Sequence, residues 1–272
     1  MRLAFRVSYI GTRFFGSQMQ AAHRTVEGEF VAACRRLDLF SDFREAGFLS
    51  AGRTDRGVHA RGQVIAFSTE SPDRAKTALN LQLPPDCWCT GCAEVPPEFH
   101  PRYDARSRTY RYYYSTLPAD RDAMVRCAQH FSGHHNFTNF ARVRGRDPHR
   151  TIFAITVNEE NGFVYLEVTA PGFLWHQVRS MATALWRIGA GEADEGSIPA
   201  LLEQEADQMV PPAPAEGLIL WETDCGIAFT PMPVDDRSAS YLDYLRCHHA
   251  LMERVCGVLG DGEHQNERGR NT

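Results

Sequence analysis

A chain of 272 residues, 43% hydrophobic and 23% charged, has material for a sizeable core arranged as one large domain or two small ones. No apolar run is long enough to span a bilayer, and the opening MRLAFRVSYI lacks the apolar core and small-residue cleavage site of a secretory signal, so a cytoplasmic chain is expected. The net charge of −5 excludes a uniformly basic nucleic-acid binder but hides an asymmetry: between Ile188 and Asp236 there are eleven acids and no Lys or Arg, which leaves +6 for the rest.

Leu3, Phe5, Val7 and Tyr9 alternate with Arg2, Ala4, Arg6 and Ser8, the period of a half-buried strand. After a turn between Gly11 and Gly16, Thr25 stands as N-cap to a helix whose Val26, Phe30, Ala33, Cys34 and Leu37 recur at three- and four-residue spacing. Past a glycine-rich stretch, a strand is expected over residues 63–69, a short helix over 74–81 and a strand over 88–95, before Pro96 and Pro97 break the pattern. Cys87, Cys89 and Cys92 could suggest zinc, but thiolate zinc sites usually present CxxC pairs on turns and need a fourth ligand, for which only His100 is near, so structural thiols on a strand are the preferred reading.

A second set of elements begins near Ser107, with Tyr110, Tyr112 and Tyr114 on one face of a strand and Met124, Cys127, Ala128 and Phe131 on one stripe of a helix. Strands over 151–158 and 162–169 are joined as a hairpin across Glu159, Glu160 and Asn161. A helix over 174–188 is expected to carry Trp175, Val178, Met181, Ala182, Leu185 and Ile188 inward, with Gly189 and Gly191 ending it. A proline-rich loop, a strand over 218–223 and a helix over 238–258 follow. The expected organisation is two α+β units, residues 1–103 and 104–259, with 260–272 as a flexible tail.

Arginine supplies nearly all the positive charge, Lys76 being the single lysine, and guanidinium groups suit phosphate contacts and base stacking. Arg102, Arg106, Arg108 and Arg111 interleave with tyrosines, and Arg142, Arg144, Arg146 and Arg150 form a second group, a pattern that fits recognition of splayed RNA bases. The stretch SAGRTDRGVHARGQVIAF, residues 50–67, sets Asp55 between Arg53 and Arg56. Guanidinium neighbours favour the charged carboxylate, which suits a nucleophile or base, although an Arg-x-Asp sequence by itself is more often a surface ion pair. His59 likewise reads more readily as a loop-stabilising imidazole than as a general base. No phosphate-binding GxxxxGK[ST] loop, dinucleotide GxGxxG turn, GxSxG elbow or HExxH pair is present.

AGRTDRGVHARGQVIAF resembles the catalytic loop of the tRNA pseudouridine synthase A family, and FHPRYDARSRTYRYYY, HNFTNF, FLWHQVRSMATALWRIGAG and AEGLILWETDC resemble its later segments in the same order. The resemblance runs from about Leu3 to Cys225. It implies two ferredoxin-like or RRM-like α+β domains forming a continuous, mostly antiparallel sheet with a central active-site cleft. It further implies a homodimer that isomerises uridine to pseudouridine in the anticodon stem-loop of tRNA, at nucleotides 38–40, without a cofactor or a metal. Asp55 would be the essential carboxylate, acting at C6, at C1′ or on a ribose proton. Arg53 would occupy the space vacated by the flipped base or hold the strand open, Tyr110 would stack on that base and assist proton removal from C5, and Arg179 would pair with Asp55. Arg56, His59, Arg106, Arg108, Arg111, Arg142 and Arg144 are the expected RNA contacts. Ile10 and Ser17 depart from the family pattern, which has Asp and Trp there. A non-catalytic tRNA-binding module is the alternative from another class.

Overall fold

The computed structural model describes residues 1–203 and 208–264, with side chains described as far as residue 260. The chain opens with β1 (Arg2–Tyr9), whose alternation predicts it, and α1 (Val26–Arg36), capped by the Thr25 hydroxyl accepting from Gly28 N at 3.2 Å. Such a cap contributes about 1 kcal/mol. Then come β2 (Leu49–Ser50), β3 (His59–Ser68), α2 (Pro72–Gln82) and β4 (Cys87–Val95). The second set comprises β5 (Ser107–Tyr113), α3 (Arg121–Ala128), β6 (Gly133–Asn136), β7 (His149–Ile152), β8 (Ala154–Glu160), β9 (Phe163–Ala170), α4 (Gln177–Gly189) and α5 (Ser197–Leu202). It is followed by β10 (Leu218–Asp224), β11 (Thr230–Pro231) and α6 (Asp236–His264).

These elements make an α+β fold on a main sheet with the order β11-β4-β1-β3-β10-β5-β9-β8, to which β2 adds beside β3, while β6 and β7 pair apart from it. All its pairings are antiparallel except β10 with β3, where Ile219 meets His59 and Leu220 meets Ala60. That parallel pairing is the seam between the two sets of elements. Gly62 lets it close: a Cβ there would lie 2.6 Å from the Trp221 carbonyl oxygen and 2.7 Å from Glu222 Cα. Any side chain would therefore push β10 away.

The core lies between the sheet and its helices. Phe5, Phe30 and Phe67 meet at ring centroid separations of 5.4–6.2 Å in the first half, and Met181, Leu185 and Ile188 of α4 are buried in the second. The hairpin between β8 and β9 turns at Asn161 and Gly162, both with positive φ, the twist that two-residue hairpin turns favour. The strand expected over 151–158 is two elements instead. Phe153 is 56% exposed between them, and β7 leaves the main sheet to pair with β6.

After β10 the chain crosses back to the first half. β11 pairs with β4, and Arg237 Nη2 donates to the carbonyls of Asn80 and Leu83 as α6 begins. α6 runs on through His264, past the helix end expected near residue 258, and residues 265–272 of the expected tail lie outside the described residues.

Candidate active site

Asp55 sits in the loop between β2 and β3, and that loop is pinned from below. Thr54 N donates to Ser17 Oγ at 2.9 Å, Ser17 N donates to the Thr54 carbonyl at 3.0 Å, and the Thr54 hydroxyl shares a hydrogen bond with Tyr9 OH at 2.8 Å. Ser17 is thus a buried support of the loop. Beyond Asp55 the chain turns through Gly57, φ 85°, with Val58 N donating to the Asp55 carbonyl at 3.2 Å. The positive φ requires glycine or a rare substitute.

The loop presents the Asp55 carboxylate to a cleft of about 1680 Å³ between the two halves of the sheet. Three side chains from the chain entering α4 and from its first turn meet it, two of them as donors. Trp175 Nε1 donates to Oδ1 at 3.0 Å, while Arg179 Nη1 and His176 Nε2 each lie 3.5 Å from Oδ2. Arg179 is anchored by its Nε, which donates to the Ala213 carbonyl at 2.6 Å. His176 is 15% exposed, and its Nδ1 is buried with no hydrogen-bond partner among the described residues. Burial holds its imidazole below the ordinary histidine value; Asp55 pulls it up, and Arg179, Arg142 and Arg144 push it down.

Tyr110 reaches the same cleft from β5, its ring edge-on to Phe173 at 5.3 Å. Burial pushes its phenol up to about 12, Arg108 drawing it down and Asp55 raising it, so the hydroxyl stays protonated at neutral pH. Arg53 is exposed at the cleft mouth. The structure therefore brings Asp55, Arg53, Tyr110 and Arg179 together.

The expected RNA contacts divide. Arg142 and Arg144 line the cleft, as do Arg102, Arg146 and Arg150. Arg108 lines it too, but its guanidinium is tied to the carbonyls of Pro171, Ala51 and Arg102 at 2.6–2.8 Å, which makes it a clamp across the loops. Arg56 is exposed and lies over the Phe15 ring at 4.3 Å, outside the cleft lining.

Three more of the expected contacts, Arg111, Arg106 and His59, also lie outside the cleft lining. Arg111 packs on the Trp221 ring at 3.6 Å and bonds Glu167 at 2.6 Å; strand alternation turns it to the sheet face opposite Tyr110. Arg106 is exposed against Gly226 and is no part of the cleft wall. His59 lies in the seam, where Nδ1 accepts from Gly11 N at 3.0 Å and the ring also bonds the Glu216 backbone. Burial lowers its affinity for a proton, against the upward pull of Glu216.

Trp175 and His176 are site residues that sequence reasoning missed, Trp175 having been assigned to the buried stripe of the helix. His176 has φ 69°, so α4 starts only at Gln177 and Trp175 stands outside it, half-buried. Cys87, Cys89 and Cys92 lie buried on β4 with their thiols raised by burial, Cys92 to about 11. Among the described residues no group of His, Cys, Asp or Glu is arranged to hold a metal ion, and no helix is long and apolar enough to cross a membrane.

A carboxylate met by an indole N–H, a guanidinium and an imidazole in a cleft walled with arginines and aromatics fits an enzyme that acts on nucleic acid. The family model described as tRNA pseudouridine synthase matches residues 6–104 and 127–224, and the chain belongs to that family. A Methanoculleus marisnigri protein named tRNA pseudouridine synthase A is 54% identical over 265 residues, covering 97% of this chain and 98% of that one. A Methanosphaerula palustris protein of the same name is 52% identical over 259 residues, covering 95% and 92%. Among solved structures, that of a Cbf5-Nop10-Gar1 complex is similar at a TM-score of 0.32 and 12% identity, over 68% of this chain and 53% of that one, too distant a likeness to carry an argument.

Proposed function

We propose that this cleft isomerises a uridine of the tRNA anticodon stem-loop, at nucleotides 38–40, to pseudouridine, with Asp55 as the essential carboxylate. The observation that carries the reading is the Asp55 carboxylate, held by Trp175, His176 and Arg179 and open to a cleft that Tyr110 borders.

A base inside a helix is out of reach of such a group, so the target nucleotide turns out of the stack at a cost of a few kcal/mol. Arg142, Arg144, Arg146 and Arg150 offset this by meeting phosphates along the cleft wall, and Arg53 at the mouth fills the space the base has left. Tyr110 stacks on the pyrimidine. Asp55 then acts at C6, at C1′ or on a ribose proton. Each route breaks the N1–C1′ bond and shifts negative charge onto the uracil, which turns and rejoins C1′ through C5. The C5 proton is lost and N1 gains one, so the isomerisation balances without an external electron or group donor. With its hydroxyl protonated, Tyr110 serves as a stacking surface and hydrogen-bond donor before it serves as a base.

The enzyme is proposed to act in the cytoplasm as a homodimer with tRNA lying across both subunits, a reading supported by the sequence resemblance; sedimentation with and without tRNA tests it. The deciding experiment is pseudouridine mapping on an unmodified tRNA transcript with wild type and Asp55→Ala. Product in the anticodon arm with wild type alone is the expected result. Product from Asp55→Ala removes Asp55 from its role, and saturating binding without product from either protein returns the chain to the binding-module alternative.

A further inference from the structure

Trp175 stands between the carboxylate and the arginines of the cleft wall. Its indole N–H donates to Asp55 Oδ1 at 3.0 Å, while the guanidinium groups of Arg144 and Arg142 lie 4.0 and 5.0 Å from its ring. Its carbonyl accepts from Arg142 N at 3.0 Å, so ring and arginine loop are joined through the backbone as well. Two residues keep the arrangement at the expense of left-handed backbone: His176, φ 69°, which turns Trp175 out of the helix, and Arg144, φ 47°. Such backbone is disfavoured for residues bearing a Cβ and persists where the surroundings hold it.

The contacts to Asp55 differ in kind. Arg179 and His176 approach one oxygen, Oδ2, each at 3.5 Å, the outer limit of a hydrogen bond. Trp175 holds the other oxygen at an ordinary bonding distance. A carboxylate held at one oxygen turns about its Cβ–Cγ bond; held at both, its plane is set.

We propose that Trp175 is a positioning residue for the isomerisation: its N–H fixes the plane of the Asp55 carboxylate, and its ring seats Arg142 and Arg144 where they meet the substrate backbone. One side chain thereby sets both the aim of the reacting group and the posture of the arginines. The proposal rests on the isomerase reading above.

The test uses the full chain with benzothienylalanine at position 175, which keeps the bicyclic shape and exchanges the N–H for sulfur, and a second variant, Trp175→Ala. The readouts are the single-turnover rate of pseudouridine formation at saturating tRNA and the tRNA Kd as a function of salt, with thermal melting as the check on folding. The isosteric variant is expected to slow the chemical step roughly 10- to 100-fold, the effect of losing one hydrogen bond to a charged group, with Kd within about twofold of wild type. Trp175→Ala is expected to slow it as much and also to weaken binding about tenfold at low salt. A wild-type rate from the isosteric variant overturns the positioning role, as does a loss of rate in that same variant matched by an equal loss of affinity. Wild-type affinity in Trp175→Ala overturns the seating of the arginines. A wild-type enzyme that makes no pseudouridine overturns the isomerase reading itself, separately from either.

Discussion

Replacing Arg179 by methionine keeps the unbranched stem and removes the charge together with both anchoring bonds. The guanidinium lies 3.5 Å from Asp55 Oδ2, with side-chain exposures of 14% for Arg179 and 34% for Asp55. At that separation and an effective dielectric of about 20, two unit charges attract by about 4–5 kcal/mol. Water reaches a third of Asp55, and screening reduces the net to about 2–3 kcal/mol. All three routes move negative charge from Asp55 onto a uracil held in the same cleft, and without the guanidinium both the aim of the carboxylate and the charge developing on the uracil in the transition state lose their support. The expected consequence is a single-turnover rate about 30- to 150-fold below wild type. Release of tritium from tRNA labelled at uridine C5 measures it directly. Arg179→Lys, with one compact donor group to serve both the Ala213 carbonyl and Asp55, falls between the two. A methionine variant within threefold of wild type refutes the reasoning.

Acidification should weaken the fold through His59 and His176. Burial lowers both below the ordinary value, so the unfolded chain binds protons near pH 6.5 that the native one refuses, and stability falls as pH drops below about 6.5. Melting temperatures between about pH 7.5 and pH 5.5 check this, and His176→Gln should make the decline shallower. Gly62→Ala drives a methyl into the β10 backbone and should cost about 3 kcal/mol or more with loss of activity, although Gly62 is no part of the cleft lining; denaturant unfolding gives the value. Arg144→Ala should lower the slope of log affinity against log salt by about 0.7–0.9, the share of one phosphate contact, read from tRNA binding at several salt concentrations.

Local pattern carried much of the fold. Strand alternation and helix period are properties of short segments, so β1, α1, β4, β10 and the β8–β9 hairpin could be read directly from spacing. Trp175 shows where this runs out. It stands three residues before Val178 and six before Met181, in phase with the buried stripe, and His176 gives no sign of left-handed backbone as a glycine would. Arg111 shows a different limit: its neighbours Arg108 and Tyr110 are in the cleft, but a step of one residue along a strand changes face, so composition groups side chains that the sheet separates. The insertion of β10 between β3 and β5 had no local signature, because strand neighbours are chosen by contacts distant in sequence. Asp55 stood out from its loop, whereas its partners Trp175 and Arg179 lie 120 and 124 residues away and could be joined to it only by resemblance or by the fold.

The place of β10 also governs when the protein can begin to work. During synthesis β1, β3 and β4 emerge early and can pair, and β5, β8 and β9 follow as a second group. The strand that joins them, Leu218–Asp224, is made after both. Until it docks, the strands beside the Asp55 loop and those that lead to Arg179 share no pairing. Every side chain of the site is thus made before the strand that closes the seam, so the site is completed by a late, long-range strand pairing and not by the local pairings that precede it.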